Sequence, residues 1–191
     1  MSRPFWSEAS LEPKRKFRWL VYAFNSEMPT YIAKSVTKPS FNVGKTEHQF
    51  LQHTFKYPGR ITWQPITLTI VDPVTPDATQ SLYNAIRSSG YELPPDVANF
   101  GAGQRTISKE SMVNALGPTL KIEQIGIEGS QEENVIEQWI IRNPIMTSVT
   151  FDTLDYTSDE LLNVTIAIDY DWAELNSDIS KNPDTWVKYE R

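Results

Sequence analysis

The sequence predicts a mainly β protein, an antiparallel β-sandwich or barrel with one α-helix packed against it. Three observations support this prediction. Seven or more segments alternate apolar and polar side chains with the two-residue period of a strand. The connections between most of these segments are short, as antiparallel neighbours allow. Only residues 76–89 combine clear helical spacing with signals for both helix ends.

The composition fits one globular domain and excludes several functional classes. The chain has 191 residues, of which 39% are hydrophobic and 22% charged, and it has no cysteine. The chain is therefore long and apolar enough to form a hydrophobic core. The lack of cysteine excludes disulfides, thiolate nucleophiles and cysteine-ligated metals. No apolar run approaches the ~20 residues that span a bilayer, and residues 1–16 lack a signal peptide's apolar stretch. We expect assembly in the cytoplasm and no membrane partner.

The charge is distributed unevenly along the chain. Residues 1–118 contain 13 basic and 9 acidic side chains, a net charge of +4, whereas residues 119–191 contain 5 and 15, a net charge of −10. A protein that grips nucleic acid normally presents a dominant basic face. An acidic chain instead suits a surface past which nucleic acid slides without binding.

We expect an extended arm at residues 1–15, a single domain at 16–175 and a polar tail at 176–191. Phe5 and Trp6 are too apolar to remain in water. They either cover an edge of the chain's own core or dock on a neighbouring subunit, and the sequence leaves both possibilities open.

The first half of the domain begins with strands around a long polar segment. Residues 16–24 alternate as a strand with large side chains on both faces, and residues 30–36 and 39–43 read as weaker strands. Residues 44–58 form a long loop or a hairpin, a kind of segment that is usually functional or interacting. Its apolar side chains are Phe50, Leu51, Phe55 and Tyr57.

A strand at 61–71 and a helix at 76–89 are predicted next. Residues 61–71 place Ile66, Leu68 and Ile70 on one face, with Pro65 indicating an edge or a bulge. For the helix at 76–89, the pattern assigns the N-cap to Thr75, the first helical position to Pro76, the apolar stripe to Ala78, Leu82 and Ile86, and the end to Gly90. A shorter helix at 109–116 is plausible between Ser108 and Gly117.

The final third is nearly all strand. Strands are predicted at 119–128, 134–142, 145–154 and 161–172. The first of these changes phase near Glu123 and Gln124, which indicates a bulge. The last alternates most cleanly. It places Val164, Ile166, Ile168, Tyr170 and Trp172 inward, and Asn163, Thr165, Ala167, Asp169 and Asp171 outward.

No recognisable reactive centre appears, so we predict no catalytic residue, cofactor or metal. His48 and His53 lie five residues apart in the long polar segment and lack the spacing of zinc ligands. Asp169 and Asp171 have a spacing that does not exclude paired glycosidase carboxylates, but an exposed polar strand face explains them equally. Long strands with free edges instead favour a protein whose function is to assemble.

The C-terminal third carries a more specific pattern. The stretch from Trp139 to Tyr156, the acidic turn that begins at Ser158, and the final strand Val164-Thr-Ile-Ala-Ile-Asp-Tyr resemble the end of the tail tube proteins of T4-type contractile bacteriophages. Upstream, the strand at 61–71 followed by the helix at 76–89 resembles the central part of that family.

The resemblance implies a tail-tube-like fold and a structural role in a virion tail. Hexameric rings would stack into a hollow tube inside a contractile sheath, with sheath and baseplate proteins as partners and viral DNA passing through the lumen without specific binding. The candidate interface residues are Phe5, Trp6, Phe50, Leu51, Phe55 and Tyr57. The candidate lumen or exposed acidic face consists of Asp152, Asp169 and Asp171.

Other functions remain open at this stage. A baseplate tube initiator or a type VI-like secretion tube would share the fold and the mechanism. From a different class, a carbohydrate-binding or carbohydrate-acting β-sandwich would use exposed aromatic residues such as Trp63 or Trp186 as stacking platforms.

Deletion of residues 1–13 tests the proposed role of the arm. If Phe5 and Trp6 dock on a neighbouring subunit, the truncated protein remains folded by circular dichroism but forms no tubes in negative-stain micrographs. Normal tubes from the truncated protein would contradict that role.

Overall fold

The computed structural model describes residues 14–23, 30–94, 106–126 and 135–177. Within these residues there are ten strands and two α-helices, which confirms the mainly β prediction. The second helix is the shorter one, predicted at 109–116. The strands are β1 Trp19–Tyr22, β2 Ala33–Val36, β3 Ser40–Phe50, β4 His53–Gln64, β5 Ile66–Val71, β6 Thr119–Ile125, β7 Val135–Arg142, β8 Ile145–Phe151, β9 Asn163–Asp169 and β10 Trp172–Ser177. The helices are α1 Ala78–Ser88 and α2 Lys109–Leu116, and a short 3-10 turn spans Thr30–Ile32.

The ten described strands form two four-stranded sheets and one separate hairpin. The first sheet has the order β1-β6-β7-β10, the second has the order β2-β5-β9-β8, and β3 pairs only with β4. Every pairing is antiparallel. Apolar side chains of both sheets meet in one core, as Ile122 and Ile141 of the first sheet do with Ile66 and Ile166 of the second.

The predicted strand at 61–71 is in fact two strands that belong to different sheets. β4 ends at Gln64, and β5 begins at Ile66 on the other side of Pro65. Proline has no N–H to donate, so ladder pairing is interrupted where the chain changes partner. The predicted burial of Ile66, Leu68 and Ile70 is confirmed, since all three are at most 1% exposed.

The strand predicted over 161–172 is likewise divided. β9 ends at Asp169, and β10 begins at Trp172 in the first sheet. The Asp171 N–H donates to the Arg142 carbonyl as the chain crosses. Val164, Ile166 and Ile168 face the core as predicted, but Trp172 is exposed, so its predicted inward position was wrong. Alternation continues through the crossing, which hides the change of sheet.

The two helices pack on each other and contribute Ala78, Leu82, Met112 and Leu116 to the core. Ser108 caps α2 as predicted, because its hydroxyl accepts from the Ser111 N–H at 3.1 Å. The N-cap prediction for α1 was wrong by two residues. Asp77, not Thr75, precedes the first helical residue, and its carboxylate accepts from the Gln80 N–H at 2.8 Å.

Two further predictions concern local backbone geometry. The pairing of β6 with β7 shifts register between Gln124 and Ile125, next to the position where the change of phase indicated a bulge. Gly90 ends α1 with a φ of +109°, and a Cβ there would lie 2.5 Å from the Thr106 carbonyl oxygen, so only glycine fits. Among the described residues, neither helix has the length and apolar character of a transmembrane segment.

The α1 cap can be tested with two matched variants. Asp77→Ala removes the hydrogen bond to the Gln80 N–H and should lower the free energy of unfolding by about 1 kcal/mol. Thr75→Ala, two residues earlier, should change it by less than about 0.5 kcal/mol. Urea unfolding followed by circular dichroism measures both, and equal losses would contradict the assignment.

Candidate subunit interface

The β3–β4 hairpin lies almost entirely in solvent. Its strands are 11 and 12 residues long, and every residue from Ser40 to Thr62 is exposed. A two-stranded ribbon of this kind is at best marginally stable in water without a surface to cover it. The segment predicted as a long loop or hairpin is therefore the outer part of a hairpin with which no other described strand pairs.

Near its base the hairpin packs on the body of the same chain. Phe41 lies opposite Trp63, and Val43 lies opposite Ile61, so these four side chains share one face. The rings of Phe41 and Trp63 are 5.3 Å apart in an edge-on arrangement, and Trp63 is 5.9 Å from Tyr170 at the end of β9. Trp63 is thus half-buried by protein and is not the free stacking platform considered for a sugar.

A bulge in β4 divides the base of the hairpin from its outer part. Val43 pairs with Ile61 and Lys45 pairs with Pro58, so Gly44 alone faces the pair Gly59 and Arg60. A Cβ on Gly59 would lie 3.1 Å from the Gly44 carbonyl, which means that the two backbones approach closely here. Because the extra residue is in β4, side chains of β4 that are separated by an even number of residues lie on opposite faces of the hairpin when the bulge is between them.

Beyond the bulge, the apolar side chains lie on the opposite face. Pairing places His48 opposite Phe55, Phe50 opposite His53, and Tyr57 on the same face. Phe50, Phe55 and Tyr57 are about half exposed. The other face carries Lys45, Glu47, Gln49, Thr54 and Lys56. The inner apolar face contacts the body of the chain through Trp63, and the aromatic side chains beyond the bulge point to the opposite face of the hairpin.

Leu51 forms the tip of the hairpin. It is 87% exposed and has a φ of +53°, the left-handed region that glycine or asparagine normally occupies in such turns. A leucine at this position is unfavourable for the isolated hairpin on two counts, backbone conformation and hydration. Both costs fall on a residue that adjoins Phe50 and extends the same apolar surface.

A second exposed apolar surface lies between β8 and β9. This segment, residues 152–162, is exposed throughout. It combines carboxylates with large side chains that no part of the described chain covers. The carboxylates are those of Asp152, Asp155, Asp159 and Glu160, and the large side chains are those of Leu154, Tyr156, Leu161 and Leu162. We call this segment the acidic loop.

A basic groove lies beside β1 and β2, and one of its lysines, Lys34, donates to the Asn163 side chain at 3.1 Å. It contains two adjoining cavities of about 540 and 480 Å³ that share Lys16, Trp19 and Lys34. The first cavity is also lined by Lys14, Arg15 and Lys38. The second is also lined by Phe17 and Tyr31, both of which are about three-quarters exposed. The groove is therefore both cationic and aromatic.

One buried carboxylate forms ion pairs with two of the lysines that line this groove. Glu137 of β7 is only 8% exposed and accepts hydrogen bonds from Lys14, from Lys38 at 2.6 Å and from the Trp139 indole N–H at 2.8 Å. Burial raises the pKa of this carboxyl group, but the hydrogen bonds from Lys14 and Lys38 outweigh it, and the pKa of Glu137 falls to about 2. Lys38 precedes β3, so this cluster also anchors the root of the hairpin.

The structure brings some predicted site residues together and separates others. Phe50, Leu51, Phe55 and Tyr57 all lie on the outer hairpin, whereas Phe5 and Trp6 are outside the described residues, as is Trp186. Asp152 and Asp169 flank β9 at opposite ends, and Asp171 lies beyond Asp169.

The two outer aspartates of that set have local partners. Asp171 accepts from Lys109 and Asn143, and the Lys109 hydrogen bond is the larger cause of its lowered pKa. Hydrogen bonds from the Thr153 N–H and the Asn163 side chain lower the pKa of Asp152. The three aspartates therefore do not form one contiguous patch. Within the described ranges, no group of three histidine or carboxylate side chains converges as metal ligands would.

Known proteins resemble this chain in three-dimensional structure. No protein-family model and no curated protein matches the sequence. A chain of the tube-terminating cap of the anti-feeding prophage is similar with a TM-score of 0.62 and 19% identity, covering 87% of this chain and 92% of that one. A chain of the PVC sheath–tube complex, an extracellular contractile injection system, has a TM-score of 0.59 and 18% identity, covering 86% and 92%.

A chain of the anti-feeding prophage baseplate gives a TM-score of 0.60 at 12% identity, covering 90% of this chain and 99% of that one. At such identities the likeness shows a common fold. It confirms the tail-tube-like fold that the resemblance at residues 139–170 implied.

The Glu137 cluster makes a testable prediction about pH. Glu137→Gln should lower the free energy of unfolding at pH 7 by about 2–3 kcal/mol, because Lys14 and Lys38 lose their buried counter-charge. The pKa of Glu137 is about 2 in the folded chain and ~4.3 when unfolded. Its contribution is therefore complete above ~pH 5 and disappears as the pH falls towards 2.

Urea unfolding at pH 7, 5 and 3 measures this effect, and the gap between the variant and the original protein should narrow at pH 3. The control is Glu174→Gln, since Glu174 pairs with Arg142 on the surface and both side chains are more than a third exposed. It should cost less than about 1 kcal/mol. An equal loss for Glu137→Gln at every pH would refute the assignment.

Proposed function

We propose that this chain is a structural, non-catalytic subunit of a contractile-tail tube. It assembles as hexameric rings that stack into a hollow conduit inside a sheath. The observation that carries the proposal is the pair of free edges of the second sheet, in a chain that shares its fold with components of contractile injection systems.

The second sheet has a strand order suited to closing into a ring. Its edges within the described residues are β2 and β8, and three antiparallel pairings separate them. The strands β2 and β8 therefore run in opposite directions. If β8 of one copy pairs with β2 of the next, the antiparallel alternation continues without interruption around the ring. A head-to-tail contact of this kind closes when the rotation per subunit is right.

The outer face of this sheet supports its assignment to the lumen. One row across the strands consists of Ser35, Thr69, Thr165 and Thr150, and the next contains Thr67, Ala167 and Ser148. These side chains alternate with the buried apolar side chains and point away from the core. Asp169 and Asp152 lie towards the two ends of the same face. A hydroxyl-covered wall with carboxylates at its rims offers DNA nothing to bind.

The outer hairpin supports the stacking of rings. Phe50, Leu51, Phe55 and Tyr57 form an aromatic and aliphatic surface that the rest of the chain leaves uncovered. Covering it with a subunit of the adjacent ring would remove apolar surface from water and stabilise the hairpin. We assign the arm at Phe5 and Trp6 to the same type of contact. Sheath and baseplate proteins are the further proposed partners, and a virion tail is the proposed location.

A tube-initiating or tube-terminating subunit is the second candidate function. It is favoured by the likeness to chains of a tube-terminating cap and of a baseplate. A secretion-type tube would share the same ring. Negative-stain microscopy of the purified protein separates these possibilities, because a tube subunit forms long tubes, whereas a terminator or initiator stops at single or paired rings.

The hairpin can be tested with neighbouring residues that lie on opposite faces. Phe55→Asp places a charge on the aromatic face and should raise the protein concentration needed for stacking at least tenfold, equivalent to ~1.4 kcal/mol per contact. Thr54→Asp adds the same charge to the polar face and should leave stacking within about twofold. Sedimentation velocity and electron microscopy measure the assembly. Equal effects of both variants, or none, would exclude the aromatic face as the stacking contact.

A further inference from the structure

The acidic loop and the basic groove complement each other in charge. The groove is lined by Lys14, Arg15, Lys16, Lys34 and Lys38. Glu137 pairs with two of these cations, Lys14 and Lys38, and Lys34 donates to the Asn163 side chain of its own chain at 3.1 Å. The four carboxylates of the acidic loop give a charge of −4. Opposed patches of this kind steer association and fix register.

The two surfaces are also complementary in their apolar parts. Phe17 and Tyr31 line the exposed end of the groove, while Tyr156 and Leu154 are among the most exposed side chains of the acidic loop. Large exposed apolar groups beside unpaired charge are typical of contact surfaces. Asp159 and Glu160 form no ion pair within the described part of the chain, so both remain available to cations from elsewhere.

Strand register sets where the acidic loop lies relative to a neighbouring copy. Phe151 at the end of β8 pairs with Val164, Val164 with Ile70, and Ile70 with Ala33 at the start of β2. These four residues form one level across the sheet. Within a chain, Phe151 and Ala33 are three strand spacings apart, about 14 Å. If β8 of one copy pairs with β2 of the next at this same level, that separation falls to one spacing, about 5 Å.

Because β8 and β2 would be antiparallel, the residue after Phe151, which begins the acidic loop, would lie level with the residue before Ala33. Pairing at this level would therefore lead the acidic loop of one copy past Tyr31, at the exposed end of the groove of the next. Each subunit has one loop and one groove, so the contact repeats head to tail around the ring.

We propose that, within the ring described above, the acidic loop at residues 152–162 docks in the basic groove of the adjacent copy, with Asp159 and Glu160 meeting Lys16 and Lys34 and with Tyr156 packing beside Tyr31. This inference rests on the proposed function. The proposed contact adds side-chain interactions that determine which strand edges pair. Strand edges alone pair with any extended strand.

A first experiment uses the absence of cysteine from the chain. Tyr31→Cys and Asp159→Cys are made as separate proteins, mixed and oxidised. Because neither variant can cross-link within itself, a disulfide between residues 31 and 159 reports contact between copies. We expect a heterodimer on a non-reducing gel at least tenfold more abundant than with the control pair Lys121→Cys and Asp159→Cys. Lys121 lies exposed on the first sheet, away from the groove.

A second experiment exchanges the charges. Lys16→Glu with Lys34→Glu, or Asp159→Lys with Glu160→Lys, should each raise the concentration for ring formation at least tenfold. The chain carrying all four changes should regain ring formation to within about threefold, because its basic loop faces an acidic groove. Circular dichroism confirms that each variant is folded.

The outcomes separate the two proposals. Rings that form equally well in all variants, without the 31–159 cross-link, overturn the loop–groove contact and leave the proposed function intact. Failure of the four-fold variant to recover overturns the contact as well. If the unaltered protein remains monomeric at every concentration, both proposals are overturned.

Discussion

Antiparallel pairing across the second sheet is the constraint on which the rest of the structure depends. Four strands in strict alternation leave two edges, β2 and β8, that run in opposite directions and match each other. An exposed edge accepts any extended strand, so the proposed ring would need features that favour copies of the same chain. The side chains beside the two edges differ in sign, with cations near β2 and carboxylates after β8. Charge therefore reinforces the backbone pattern.

The glycine bulge places the apolar side chains of β4 on opposite faces of the hairpin before and after it. On the body side of the bulge, Phe41 and Trp63 pack towards Tyr170, and beyond it Phe55 and Tyr57 turn to the other face. Without the extra residue in β4, Phe55 and Tyr57 would lie on the same face as Ile61 and Trp63. The close approach of Gly44 and Gly59 makes the change of face possible, and the Glu137 cluster fixes the root from which the hairpin extends.

Sequence reasoning succeeded where the signal is local. Alternation identified the buried face of β5 and β9, and the Ser108 cap needed only its neighbours. Sequence reasoning also placed a bulge near Gln124, but the extra residue at that register shift is Ile136 of β7 and not a residue of β6. It failed where partners are distant in sequence. Alternation continues through Tyr170, so nothing local marks the change of sheet. The partners of Glu137 lie 123 and 99 residues away. Four of the candidate interface residues could be singled out because exposed aromatics in a polar segment are unusual.

In the proposed tube, the hydroxyl rows of the second sheet would line the lumen, and this arrangement has a consequence for transport. Each serine or threonine hydroxyl both donates and accepts hydrogen bonds, so a wall of them holds a water layer whose polarity can reverse from site to site. A moving polymer then exchanges equivalent hydrogen bonds at every step and encounters no deep trap. Hydroxyl groups carry no net charge, so a polyanion and a folded polypeptide would experience similar friction against such a lining.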